Sequence, residues 1–97
     1  MKFFKGVSMS LGIIGLQMEQ KLKERFSPIE LRLIDESSHH AGHSGARPDG
    51  ESHFKVKIVA EAFSGLSLLQ CHRLINETLA EELKERVHAL SISAKAP

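Results

Sequence analysis

Two rhythms of apolar residues run along this chain, one of about four residues and one of two, and they trade places as the sequence proceeds. Ile14, Met18, Leu22 and Phe26 recur at every fourth position, which aligns them on one face of a helix with Glu19, Lys23 and Arg25 on the other. Pro28 ends that helix. The stretch "IELRLID" then sets Ile29, Leu31 and Leu33 against Glu30, Arg32 and Ile34, the alternation of a half-buried strand. A second strand follows in "HFKVKIVA", where Phe54, Val56 and Ile58 alternate with Lys55, Lys57 and Val59 and the lysines face water. Ser67 is an N-cap residue for a second helix running to about Arg86, with Leu68, His72, Ile75, Leu79 and Leu83 on one face. Arg73, Glu77, Glu81 and Lys84 lie opposite. "VHALSISA" closes the series with Leu90 and Ile92 alternating with Ser91 and Ser93, a third strand beginning near His88.

The order helix, strand, strand, helix, strand, with no repeat and no dividing linker, predicts an α+β fold of two layers, helix against sheet. Strands one and two pair antiparallel across their loop, and strands two and three, joined by a helix, pair parallel through a right-handed crossover. The end of strand one and the starts of strands two and three then share one edge of a three-stranded mixed sheet. That edge gathers His39, His40, His43, His53 and His88, and leaves out His72.

Length and composition narrow the class. At 97 residues the chain is one small domain, and 41% hydrophobic with 26% charged residues suits a packed aliphatic core rather than disorder or a membrane span. Thirteen basic against twelve acidic residues give no overall field to attract polyanions, although a local patch can. The single cysteine, Cys71, excludes an internal disulfide and fits a reducing, cytoplasmic setting. The start, "MKFFKGVSMSLGIIGL", has two lysines before an apolar stretch, but serines interrupt it and no small-x-small cleavage site follows. Residues 1–16 therefore read as an N-terminal extension and 17–97 as the domain.

Chemistry concentrates in "HHAGHSGARPDGESH", residues 39 to 53, with four histidines, three glycines and one proline. The composition fits a metal site or a solvated connection. A mononuclear zinc site would need an ordered cage, and ordering so many turn residues costs conformational entropy. Cys71 flanks the apolar face and reads as a packed thiol, and His72 as a core-facing histidine with a hydrogen-bond partner. Arg73 points outward and suits partner contact. No nucleophile and base stand in a recognisable arrangement, so the chain reads as a non-enzyme.

The segments "LRLIDESSHH", "ESHFKVKIVAEAFSGLSLLQCHRLINETLAEEL" and "VHALSI" resemble the BolA family from about Met18 to Pro97. The motifs D-E-S then His, E-S-H-F-K-V, F-x-G-x-S-x-x-Q-x-H-R and V-H-A-L occur in the family's order and spacing. The resemblance implies a fold similar to the class II KH domain. It also implies a partnership with monothiol glutaredoxins in iron-sulfur trafficking or iron homeostasis, with a bridging [2Fe-2S] cluster. In such a complex His88 matches one histidine ligand by motif and His40 the loop ligand, with His43 and His53 as alternatives. Two imidazoles leave two thiolates to be supplied by the glutaredoxin cysteine and glutathione, so no cofactor is expected in the isolated protein. Other members of the family are DNA-binding transcriptional regulators of stress response and cell shape. For that activity "EAFSGLSLLQCHR" offers a turn and recognition helix with Arg73 and Lys84, although Glu77, Glu81 and Glu85 share the helix surface, and Lys55 and Lys57 add charge elsewhere. Two departures stand out. Cys71 replaces the first basic residue of the family's Arg-His-Arg, and Gly65 is followed by "LSL" rather than a G-x-x-G loop, so a KH-like shape does not imply KH-like RNA binding.

Overall fold

A computed structural model describes residues 11–37 and 51–97. Helix α1 (Ile13–Phe26) leads into β1 (Glu30–Asp35), β2 (His53–Val59), a 3-10 turn (Glu61–Phe63), α2 (Leu68–Thr78), α3 (Ala80–Glu85) and β3 (Ala89–Lys95). The strand order is β1-β2-β3, with β1 antiparallel and β3 parallel to the central strand. This is the mixed three-stranded sheet that the alternation predicts.

Strand periodicity decides which side chains build the core. Leu31 and Leu33 stand opposite Ile58 and Val56, Phe54 stands beside Leu90, and Ile58 beside Ala94. These inward positions meet Met18, Leu22 and Phe26 of α1 and Cys71, Ile75 and Leu79 of the second helical region in one buried cluster. Phe26 and Phe63 add an aromatic contact, with centroids 5.0 Å apart. Among the described residues, no helix is long and apolar enough to cross a membrane.

Three details differ from the sequence pattern. The helix predicted from Ser67 to Arg86 is two helices, α2 and α3, broken at Leu79 (φ −104°, ψ 19°). Just before the break, Thr78 Oγ1 donates to the Leu74 carbonyl at 2.7 Å, a side-chain bond that bends helices. The buried stripe of α2 is Cys71, Ile75 and then Leu79, so Leu68 is 69% exposed and His72 is only half-buried rather than core-facing. Ile29 precedes the first paired residue of β1 and is exposed, not core. The first helix starts at Ile13, so Ile14 opens its apolar stripe as the period of four predicts.

Helix ends are secured by different devices. Ser67 and Gln70 form a reciprocal capping box, with Gln70 N–H donating to Ser67 Oγ at 3.1 Å and Ser67 N–H to Gln70 Oε1 at 2.9 Å. The cap Gly12 of α1 has no side chain to offer, and Glu51, from across the sheet edge, accepts instead from Gly15 N–H at 2.9 Å. Ser27 terminates α1 in the left-handed region (φ 44°), with Pro28 next in sequence.

Candidate metal-ligand edge

The strand ends that flank residues 38–50 are tied together by three short polar side chains. Asp35, the last residue of β1, accepts from Ser37 N–H through Oδ1 (2.9 Å) and from Glu51 N–H through Oδ2 (3.0 Å), so one carboxylate grips both ends of the connection. Ser37 Oγ is buried and accepts from the backbone N–H groups of Ser52 (2.9 Å) and His53 (3.2 Å). Ser52 Oγ lies 3.3 Å from Ser37 Oγ and 2.9 Å from His53 Nδ1. Each buried hydroxyl is thereby satisfied, and the ring of His53 is fixed by its neighbour's side chain.

Parallel pairing brings the distant histidine to the same place. His53 is in register with Ala89, and the Ser52 carbonyl accepts from both His88 N–H (2.7 Å) and Ala89 N–H (3.1 Å). The His53 and His88 rings consequently lie 5.3 Å apart between centroids, tilted by 52°. His53 is 6% exposed, whereas His88 is open to solvent. One imidazole is thus held rigidly by the fold and its neighbour is presented outward. The only cysteine is 3% exposed within the core, so it offers no thiolate at this edge.

The family model described as BolA-like protein matches residues 22–97. The chain belongs to the BolA family. SufE-like protein 1, chloroplastic/mitochondrial, of Arabidopsis thaliana is 47% identical over 92 residues, which are 91% of this BolA-family chain but 25% of that protein. The DNA-binding transcriptional regulator BolA of Vibrio cholerae is 47% identical over 75 residues, covering 77% of this chain and 67% of the relative. Among solved structures, the BolA domain of SufE1 from Arabidopsis thaliana superposes with a TM-score of 0.82 at 48% identity, over 91% of this chain and 96% of that one. The mixed sheet and helix layer described above are therefore those of BolA domains.

Of the sequence-derived ligand candidates, the structure brings His53 and His88 together, while His39, His40 and His43 lie outside the described residues. The partner-contact candidates divide between two surfaces. Arg73 and Lys84 are exposed on α2 and α3, whereas Lys55 and Lys57 sit on the side of β2 turned away from the core. Asp35, Ser37, Glu51 and Ser52 were not legible as supporting residues. The D-x-S spacing at a strand end is the signal that could have marked them, since Asp and Ser cap turns through their side chains.

Proposed function

We propose that this BolA-family chain is an adaptor that shares a [2Fe-2S] cluster with a monothiol glutaredoxin and acts in iron-sulfur trafficking or iron homeostasis. The observation that carries the reading is the His53–His88 contact at 5.3 Å, built by the parallel β2–β3 pairing from residues far apart in sequence. The donor chemistry fits the group. Two imidazoles on one iron with thiolates on the other is an established arrangement, and with Cys71 buried in the core both thiolates come from outside, from the partner's cysteine and glutathione. His88 is one ligand. The loop side contributes His53, or else His40 or His43. The Ser52–His53 hydrogen bond supports a ligand role for His53, because ligating imidazoles are oriented by a second polar group. The chain acts by binding rather than catalysis, and a reducing compartment such as the cytoplasm suits thiolate ligands supplied in trans.

Visible circular dichroism of the chain mixed with a monothiol glutaredoxin, glutathione, ferrous iron and sulfide tests the reading. The heterocomplex spectrum should change on His88→Ala and on one of His53→Ala, His40→Ala or His43→Ala. A spectrum unchanged by all four would remove the ligand assignment.

A second reading is DNA binding, favoured by the similarity to a relative named as a DNA-binding transcriptional regulator. A salt-dependent mobility shift with duplex fragments tests it.

A further inference from the structure

The chain's near-neutral total hides a division that only the sheet register reveals. The side of the sheet turned away from the helices carries Arg32, Lys55, Lys57 and Lys95 against a single carboxylate, Glu30. The three helices, by contrast, hold five cationic and six carboxylate side chains. There Lys21, Lys23 and Arg25 are matched to Glu82, Glu19 and Glu77 at 2.8, 3.6 and 3.8 Å. None of the four sheet cations makes an ion pair with another described residue. Arg32 and Lys57 are moreover direct partners in the antiparallel register, both exposed, an arrangement in which like charges repel. A fold retains such a pair at a cost in stability, and the repulsion is relieved when a dense anion covers both.

We infer that this open sheet face binds the phosphate backbone of nucleic acid through Arg32, Lys55, Lys57 and Lys95, independently of base sequence. Lys55 and Lys57 are separated by two residues of strand, about 6.6 Å, and Arg32 stands one strand, about 4.8 Å, from Lys57. A polyphosphate offers negative charge repeatedly on that scale. Ser91 and Ser93 are exposed beside Lys55 and Lys57 in the register and give hydroxyl donors to phosphate oxygens. The composition of the face separates this partner from others. It carries no Phe, Tyr or Trp on which a base could stack, and its apolar side chains Ile34 and Val59 are half-buried rather than presented as anchors for a protein partner. The inference deepens the DNA reading by moving the contact from α2 to the opposite side of the molecule, and it is independent of the cluster reading.

The test is fluorescence anisotropy of the full chain with a labelled oligothymidylate and with a random duplex of equal length, each titrated from low to physiological salt. Four phosphate contacts give a slope of log affinity against log salt of about −3 for the single strand and about −4 for the duplex. Arg32→Gln with Lys57→Gln should halve the slope, and adding Lys55→Gln and Lys95→Gln should abolish binding. Arg73→Gln with Lys84→Gln should leave it unchanged. The exposed triple variant Arg32→Gln, Lys57→Gln, Lys95→Gln serves where the half-buried Lys55 position affects folding. Duplex binding that survives the sheet variants but is lost in the helix variant overturns the inference and leaves the DNA reading standing. Failure of both oligomers to bind at low salt overturns the inference, and the DNA reading is then decided separately by the mobility shift with duplex fragments.

Discussion

Asp35 and Glu51, sixteen residues apart, are joined by a hydrogen bond from Glu51 N–H to Asp35 Oδ2 at 3.0 Å. That bond closes the base of the histidine-bearing connection, and Asp35 Oδ1 holds the other end through Ser37 N–H. Asp35→Ala removes a charged acceptor from two backbone donors and should cost about 1.5–3 kcal/mol in chemical denaturation. Amide exchange at Ser37 and Glu51 should accelerate more than exchange in the centre of β2. Equal protection in variant and parent would show that the carboxylate does not organise this edge.

Glu51 also reaches across to cap α1 from a left-handed backbone (φ 60°). A Cβ added at Gly12 would stand 2.7 Å from the Glu51 carboxyl carbon, so Gly12→Ala should push the carboxylate away from Gly15 N–H. The loss expected is that of a helix cap, about 1 kcal/mol. Combining Gly12→Ala with Glu51→Ala should then cost little more than Glu51→Ala alone, which a double-mutant cycle on thermal midpoints measures.

His53 and His88 should respond differently to truncation. The first is buried and bonded to Ser52, and His53→Ala should destabilise the domain by about 1–3 kcal/mol through a cavity and an abandoned hydroxyl. The second is exposed, and His88→Ala should stay within about 0.5 kcal/mol of the parent. Urea midpoints of the two variants give the comparison, and a large loss in His88→Ala would mean that its role is structural.

Lys21 carries a pH-dependent contribution to stability. Its hydrogen bond to Glu82, 2.8 Å between Nζ and Oε2, raises the lysine pKa above its ordinary value of 10.5. Because the folded-state pKa lies above the unfolded one, the stabilisation is complete below pH 10.5 and is lost as pH rises through the raised value. The parent should therefore lose more stability between pH 9.5 and 11.5 than Lys21→Met, as read from denaturant midpoints (the range brackets about one unit either side of the ordinary lysine pKa). Parallel curves would mean that the pair is unimportant. Glu82 Oε1 is buried without a hydrogen-bond partner among the described residues, so Glu82→Leu should be neutral or stabilising, while the partly exposed Lys21 turns to water.

Ser67→Ala removes one half of the capping box and should destabilise α2 by about 1 kcal/mol. Gln70→Ala, which keeps the Ser67 bond to the Gln70 backbone, should cost less. The order of the two urea midpoints checks the assignment.

Local pattern alone determined the kinds of element, the parity of the strands and most of the core. Leu31, Leu33, Phe54, Val56 and Ile58 point inward because successive strand residues face opposite sides, a constraint that holds before any partner is present. The same logic drew His88 to the connection after β1, since antiparallel and parallel pairings fix which strand ends share an edge. It failed where neighbours in space overrule neighbours in sequence. The break at Leu79, the exposure of Leu68 and the half-burial of His72 depend on how α2 meets the sheet, which a helical period does not encode. The tertiary structure decided that, among the described residues, His53 is set beside His88, through a register in which Ser52 bonds both His88 and Ala89. It also decided that four cations share one open face, because charges scattered over three strands become neighbours only when the strands are paired.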